Sequence, residues 1–308
     1  MKKIVVIGSL NVDYVIDVHH IPTAGETILS KELQIVPGGK GANQACALAR
    51  MGADVTMLGL VGNDGNGTIE LESLRAAGVD ISHVERVPQA TGLAVVAVNK
   101  EGNNSIIVVQ GANAVVSREY IDAKIDVIKA ADIVLMQLEI PLDTVLHAAR
   151  IAKEYGKTVI LDPAPAPEQL PQQLLAYADV VKPNEIELAM LTGMQNAKDD
   201  PRPACELLRQ CGVGTVVASL GSQGAFVLSD EIDGELFPSE KTTVVDTTAA
   251  GDSFTAAVAY ALSRGQNMRN AVRFANRVGA VVVSRRGAQS SIPTPEEIER
   301  LWSECGLP

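Results

Sequence analysis

Short Val- and Ile-rich runs recur along this chain with helical patterns between them, and that alternation constrains its fold more than any other feature. The runs are Ile4–Gly8, Val55–Val61, Ile133–Leu138, Thr158–Asp162, Asp179–Lys182, Thr215–Leu220 and Ala225–Leu228. Helical spacing falls between many of them, at Asn43–Met51, Ile69–Ala77, Leu142–Tyr155 and Ala204–Gln210. Strands apolar on both faces that alternate with helices predict an α/β fold, a mostly parallel central sheet flanked by helices. The aromatic content of 3% leaves that core to Val, Ile, Leu and Ala.

Two regions break the rhythm. Val12–Val18 and Lys31–Val36 read as extended segments around the turn-rich stretch His20–Gly25. Thr91–Asn99 and Ser105–Gln110 flank Lys100-Glu101-Gly102-Asn103-Asn104, a good hairpin turn. These segments predict a small β-sheet lid, about 12–36 and 91–110, inserted in one α/β domain spanning 1–308. Its uncovered face is a candidate homodimer surface.

Net charge is −11, which argues against a nucleic-acid partner, since phosphate neutralisation needs a basic face. It does not argue against a small phosphate-bearing ligand, which backbone amides and a metal can hold. The apolar run after Lys2 and Lys3 breaks at Gly8, too short for a signal core, and no stretch approaches a membrane span. Cys46, Cys205, Cys211 and Cys305 show no metal spacing and read as isolated thiols. A cytoplasmic protein without a membrane partner is expected.

Asp246-Thr247-Thr248-Ala249-Ala250-Gly251-Asp252 is the strongest local signal. The apolar residues Phe254, Ala257, Val258, Ala261 and Leu262 follow at helical spacing and Gly265 stops them. Ala249, Ala250 and Gly251 therefore sit at a helix N-terminus, where free amides and the dipole favour an anion and small side chains let a phosphate approach. Asp252 lies in the first turn and could accept a proton from an attacking hydroxyl; alone, it would equally well complement the dipole.

Gly38-Gly39-Lys40-Gly41-Ala42-Asn43 precedes another helix. Its glycines permit close backbone approach, and Lys40 and Asn43 bring donors suited to sugar hydroxyls; a plain loop-to-helix joint is the simpler account. Lys40 is followed by glycine rather than Ser or Thr, so this is not a P-loop, and no G-x-G-x-x-G follows the first strand. Asn11 and Asp13, two apart in an extended segment, point the same way. Glu139 ends a strand where open α/β sheets bind ligands. Asn184 and Glu187 lie one helical turn apart, which suits either water around Mg²⁺ or a capped helix start. Ser219-Leu220-Gly221-Ser222-Gln223-Gly224 is a polar turn that a hairpin would also explain.

Taken together, Gly38, Gly39, Gly41 and Asn43, continued through Ala45, Gly52 and Gly62, resemble the first signature of the ribokinase-type carbohydrate and nucleoside kinases. Asp246 to Asp252 resembles the second, and the resemblance runs from Gly8 to Pro293. The stretches 38–45 and Met136–Glu139 resemble the ribose-phosphorylating branch. The resemblance implies ATP-dependent transfer to the 5-hydroxyl of D-ribose, with Asp252 as base and Ala249, Ala250 and Gly251 as the anion hole. It implies ribose contacts from Asn11, Asp13, Gly39, Lys40, Gly41, Asn43, Glu139 and Asp252. ATP contacts would come from Asn184, Ser219, Leu220, Gly221, Ser222, Gln223, Gly224, Gly251 and Asn276, with Glu187 near Mg²⁺ through water. A monovalent cation, typically K⁺, would use Asp246, Thr248, Val282, Arg285, Gly287 and Ser291. Ser290 stands where some members carry proline.

The extended segments offer one aromatic, Tyr14, pointing away from Asn11 and Asp13, which disfavours a nucleoside acceptor. Few basic residues converge there, which disfavours a phosphorylated sugar. A neutral sugar fits best; 2-deoxyribose, another sugar, a nucleoside or a non-catalytic sugar-binding regulator are the alternatives.

Overall fold

The computed structural model describes residues 2–101 and 103–307. Strand β1 (Ile4–Ile7) is buried along its whole length and pairs in parallel with β4 (Val55–Leu58) and β9 (Ile133–Met136). The sheet extends in parallel through β10 (Thr158–Leu161), β11 (Val180–Val181) and β12 (Thr215–Ser219). Two antiparallel strands, β13 (Ala225–Ser229) and β14 (Glu235–Phe237), complete the order β14-β13-β12-β11-β10-β9-β1-β4.

Successive side chains of a strand face opposite ways, and here each face meets its own core. Ile4, Val6, Ile133, Leu135 and Ile160 lie in one apolar cluster, while Val5, Ile7, Val134, Met136 and Val159 lie in the other. That double burial is why these runs are continuously apolar. The helices that cover them are α1 (Lys40–Arg50), α2 (Gly65–Ala77), α3 (Arg118–Ala123), α4 (Ile125–Ala130), α5 (Leu142–Glu154), α6 (Gln172–Tyr177), α7 (Glu185–Thr192), α8 (Arg202–Gln210), α9 (Ala250–Ser263), α10 (Met268–Val283) and α11 (Pro295–Glu304). Tyr260, Phe274 and Trp302 from α9, α10 and α11 stack edge-on or tilted and tie these helices together.

A second sheet has the order β3-β2-β7-β8, built from β2 (Asn11–Asp17), β3 (Leu33–Gly38), β7 (Gly92–Val98) and β8 (Asn104–Val109). The expected extended segments thus become one sheet, with β2 and β7 parallel at its centre. At the expected hairpin turn, Asn99 donates its N–H to the carbonyl of Asn103 at 2.9 Å; Gly102 lies outside the described residues. β8 is exposed at every position, including Ile106, Ile107, Val108 and Val109.

The run Val55–Val61 is not one strand. It breaks at Gly59, where a Cβ would lie 2.4 Å from Leu10 Cδ1 and 2.8 Å from the Gly8 carbonyl. Beyond the break, β5 (Leu60–Gly62) leaves the main sheet and pairs with β6 (Glu85–Val87). The cysteines are free, Cys46 and Cys205 buried, Cys211 and Cys305 half-buried. Among the described residues no helix is long and apolar enough to cross a membrane.

Candidate active site

The site forms where β1 and β9 to β12 end, at the carboxyl edge of the parallel strands. Gly39 has φ 85° and caps α1; a Cβ there would lie 2.8 Å from Asn11 N. At Gly41 it would lie 2.7 Å from both the nitrogen and the oxygen of Ser9. Only glycine lets the junction of β3 and α1, Gly38 to Gly41, press onto the 8–11 segment. This contact, and not a mere loop-to-helix joint, is what the glycine run builds.

Asp252 is buried in the first turn of α9. Its preceding cap, Ala249, has φ 58°, the one described non-glycine residue in the left-handed region. Asn43 Nδ2 donates to Asp252 Oδ2 at 3.0 Å and Gln44 Nε2 to Oδ1 at 3.4 Å. Gln44 Nε2 also donates to Asp162 Oδ2 at 2.9 Å, while its own oxygen accepts from Gln137 Nε2. Thr255 Oγ1 donates to the same Asp162 oxygen at 3.1 Å, and Lys182 Nζ stands 3.3 Å from it. Asp252 is therefore held by a buried polar network that fixes its orientation.

On the lid side, Glu139 Oε2 accepts the Ser9 hydroxyl at 2.5 Å and the Lys40 N–H at 3.1 Å. Asn11 Oδ1 accepts from Asn113 Nδ2 at 2.7 Å, and Asn113 Oδ1 accepts the Leu10 N–H at 2.9 Å. Asp13 packs against Gly38, whose Cβ would meet the carboxylate at 2.4 Å. Burial, with Glu139 and Asp252 adding repulsion, pushes the Asp13 carboxyl up to about 7. Burial acts to lower the Lys40 ammonium, but Asp252, Asp162, Glu139 and Glu187 together outweigh it and hold the group above its ordinary value. A cavity of about 200 Å³ opens here, lined by Asn11, Asn113, Leu138, Glu139 and Pro165, with Val108 and Gln110 from the lid side. Tyr14 is turned away, its hydroxyl donating to Asn66 Oδ1.

Asn184 and Glu187 form the capping box of α7: Asn184 Oδ1 accepts the Ile186 and Glu187 N–H groups, and Glu187 Oε2 accepts the Asn184 N–H at 2.8 Å. The capped-start account of these residues is thus correct, and it leaves Glu187 Oε1 and Asn184 Nδ2 for other partners. Burial chiefly raises the Glu187 carboxyl, against the pull of Lys182. The Ser219 N–H donates to the Pro183 carbonyl at 2.9 Å, which brings Asn184 beside the turn Ser219–Gly224. That turn joins β12 to β13 through a short 3-10 segment whose residues Gly221, Ser222 and Gln223 are exposed. Asn276 is buried, and its Nδ2 donates to the Phe237 and Pro238 carbonyls, against which Gly224 packs.

Beyond α9, Asp246 Oδ1 accepts the Thr248 N–H and hydroxyl at 2.9 and 2.6 Å, and Oδ2 accepts the Gly287 N–H at 2.8 Å. Burial opposes ionisation, yet these bonds, from Thr248 first and then Gly287, hold the carboxyl below its usual range. The Val282 carbonyl accepts the Arg285 N–H, and Ser291 is buried with its hydroxyl on the Ala288 carbonyl. The Arg285 guanidinium is paired with Glu297, so it offers the loop only its backbone. Among the described residues no three His, Cys, Asp or Glu side chains converge as a metal cluster.

Ser9, Gln44, Asn113, Gln137, Asp162, Lys182 and Thr255 join the site without having been singled out as functional in the sequence. Gln137, Asp162 and Lys182 had a readable signal: each is a polar residue at the carboxyl end of an otherwise apolar parallel strand.

Fold and site together define a carbohydrate kinase, and the chain belongs to the pfkB family carbohydrate kinases, whose family profile matches residues 1–295. It is 39% identical over 298 residues to a ribokinase of Haemophilus influenzae, with 96% of this chain and 97% of the relative covered. A deoxyribokinase of Salmonella typhimurium is 34% identical over 302 residues, with 97% and 98% covered. The structure of Arabidopsis thaliana ribokinase complexed with ribose and ATP superposes with a TM-score of 0.90 at 35% identity, covering 97% of this chain and 98% of that one.

Proposed function

We propose that this chain transfers the γ-phosphoryl of ATP to the 5-hydroxyl of D-ribose, with Asp252 as the general base. The observation that carries this reading is the buried carboxylate of Asp252, oriented by Asn43 and Gln44 at the N-terminus of α9. Ribose hydroxyls meet Asn11 and Glu139, which line the cavity, and Asp13, Gly39, Lys40, Gly41 and Asn43 beside it. That cavity, at about 200 Å³, is smaller than the ~300–1,000 Å³ clefts of larger ligands and has no aromatic wall, which favours a small sugar over a nucleoside.

As the 5-oxygen attacks phosphorus in line, its proton passes to Asp252 and the bond to the ADP oxygen breaks. Positioning and charge stabilisation carry most of such a transfer. The amides at Ala249 and Gly251 face the developing phosphoryl charge, whereas the Ala250 N–H is taken up by the Thr247 carbonyl at 3.2 Å and serves through its small side chain. The nucleotide lies along Asn184 and the turn Ser219–Gly224, with Gly251 at its phosphate end and Asn276 supporting the neighbouring segment.

The buried carboxylates here are already countered by Lys40 and Lys182, which suits Mg²⁺ carried in with the nucleotide and touched by Glu187 through water. Bound Mg²⁺ would neutralise phosphate charge. Asp246, Thr248 and Gly287, with carbonyls near Val282, Arg285 and Ser291, are the proposed K⁺ loop. One α/β unit spans 1–308 with the lid segments, about 12–36 and 91–110, inserted. Two such lids would meet in a homodimer through the exposed apolar face of β8, in the cytoplasm.

The test is ADP release from ATP–Mg²⁺, with and without K⁺, across ribose, 2-deoxyribose, fructose and adenosine. Ribose-dependent turnover stimulated by K⁺ is expected. Preference for another acceptor would overturn the ribose assignment, and no turnover with any acceptor would overturn the kinase mechanism.

A further inference from the structure

Lys182 leaves the carboxyl end of β11 and buries its side chain almost completely, with the residue 4% exposed. Its ammonium lies 3.3 Å from Asp162 Oδ2, an oxygen already shared by Gln44 and Thr255. One donor of three is thereby accounted for. The same Nζ lies 3.5 Å from where a Cβ of Gly251 would stand, the one described atom from beyond the start of α9 within 4 Å of that position. Gly251 itself is exposed, and its N–H and that of Asp252 donate to no protein acceptor among the described residues.

The Lys182 ammonium thus lies beside the exposed positive end of α9. Asp162 balances the lysine from one side, and the two positive features side by side still favour an anion that touches both. A buried ion pair kept for stability alone is a poor account, since apolar residues of similar volume often serve as well. Asp162 instead reads as the anchor that aims the lysine and limits its motion.

We infer that Lys182 is a further catalytic residue, whose Nζ donates a hydrogen bond to an oxygen of the transferring γ-phosphoryl opposite the α9 amides. It keeps its proton throughout: the O–P bond to the sugar forms, the bond to ADP breaks, and the sugar proton goes to Asp252. The inference rests on the kinase reading above.

The test compares Lys182→Met with the double variant Lys182→Met/Asp162→Asn, which leaves no unpaired buried charge should the single variant fail to fold. Calorimetry with Mg²⁺ and ribose present measures ADP and the non-hydrolysable analogue AMP-PNP. The preference for AMP-PNP over ADP should fall at least about tenfold, the worth of one charge-assisted hydrogen bond. Ribose affinity should stay within about twofold and kcat should fall about 10²–10³-fold. An unchanged AMP-PNP to ADP ratio in the variant that binds ribose would overturn the contact, even with kcat reduced. Failure of the wild-type chain to turn over ribose would instead count against the kinase reading, because the two ligand affinities are read without turnover.

Discussion

Asn43 donates from the first glycine-rich segment to Asp252 at 3.0 Å, closing a link across 209 residues of sequence. Both signature segments of the family therefore meet at one carboxylate. The hydrogen bond joins α1 to α9 and leaves Asp252 facing the site with its orientation set.

Removing the base while keeping its shape isolates the chemistry. Asp252→Asn should lower kcat by about 10²–10⁴-fold, the range of a positioned general base, with ribose affinity within about threefold of wild type. Coupled ADP assay and calorimetry measure the two separately. Turnover equal to wild type would remove Asp252 from its role.

Asp13 makes the apo protein's stability depend on pH. Its folded value, about 7, lies above the ordinary carboxylate value near 4, so folding favours the protonated form. That contribution is complete below pH ~4 and is lost as pH rises through about 7. Asp13→Asn should therefore raise Tm, relative to wild type, more at pH 8 than at pH 5. Calorimetric scans without ligand decide it; an equal difference at both pH values would contradict the raised value that burial, with Glu139 and Asp252, gives Asp13.

Gln44 gives both Asp162 and Asp252 a shared donor. Gln44→Leu strips that donor from two buried carboxylates and should cost about 1–3 kcal/mol of stability. It should also lower kcat, because Asp252 loses its second anchor. Denaturant unfolding beside steady-state kinetics checks both effects. Stability lost with kcat intact would make the network structural only.

Ala249 holds a left-handed backbone that a β-branched residue adopts only under strain. Ala249→Val should cost about 1–3 kcal/mol or shift the start of α9, and turnover should fall with it. Ala249→Gly should leave turnover near wild type, because glycine adopts that conformation freely. Similar kinetics for both variants would show that the cap does not shape the site.

The exposed edge strand β8 carries the dimer proposal. Ile107, 65% exposed, becomes a buried contact if two lids pack together. Ile107→Lys should then shift the sedimenting species from dimer to monomer. A wild-type chain that already sediments as a monomer would end the proposal.

Much of this molecule was legible before its fold was known. Ile4–Ile7, Ile133–Met136 and Thr158–Leu161 are continuously apolar because both faces of the parallel sheet are covered, so local composition alone marks them as buried strands. Ala249 to Asp252 was equally plain, since a helix start, its small residues and its acid lie within a few positions. What required the tertiary structure was every bond between distant segments. Gln44 looks like an ordinary polar residue in isolation, and only the packing of α1 against α9 and the strand ends places it between Asp162 and Asp252; packing likewise sets Asn113 against Asn11. The break at Gly59 was hidden for the same reason: the atoms that leave no room for a side chain there belong to Gly8 and Leu10. Periodicity and turn chemistry are local properties written along the chain, whereas a site assembled across 209 residues exists only once the sheet has brought its strand ends together.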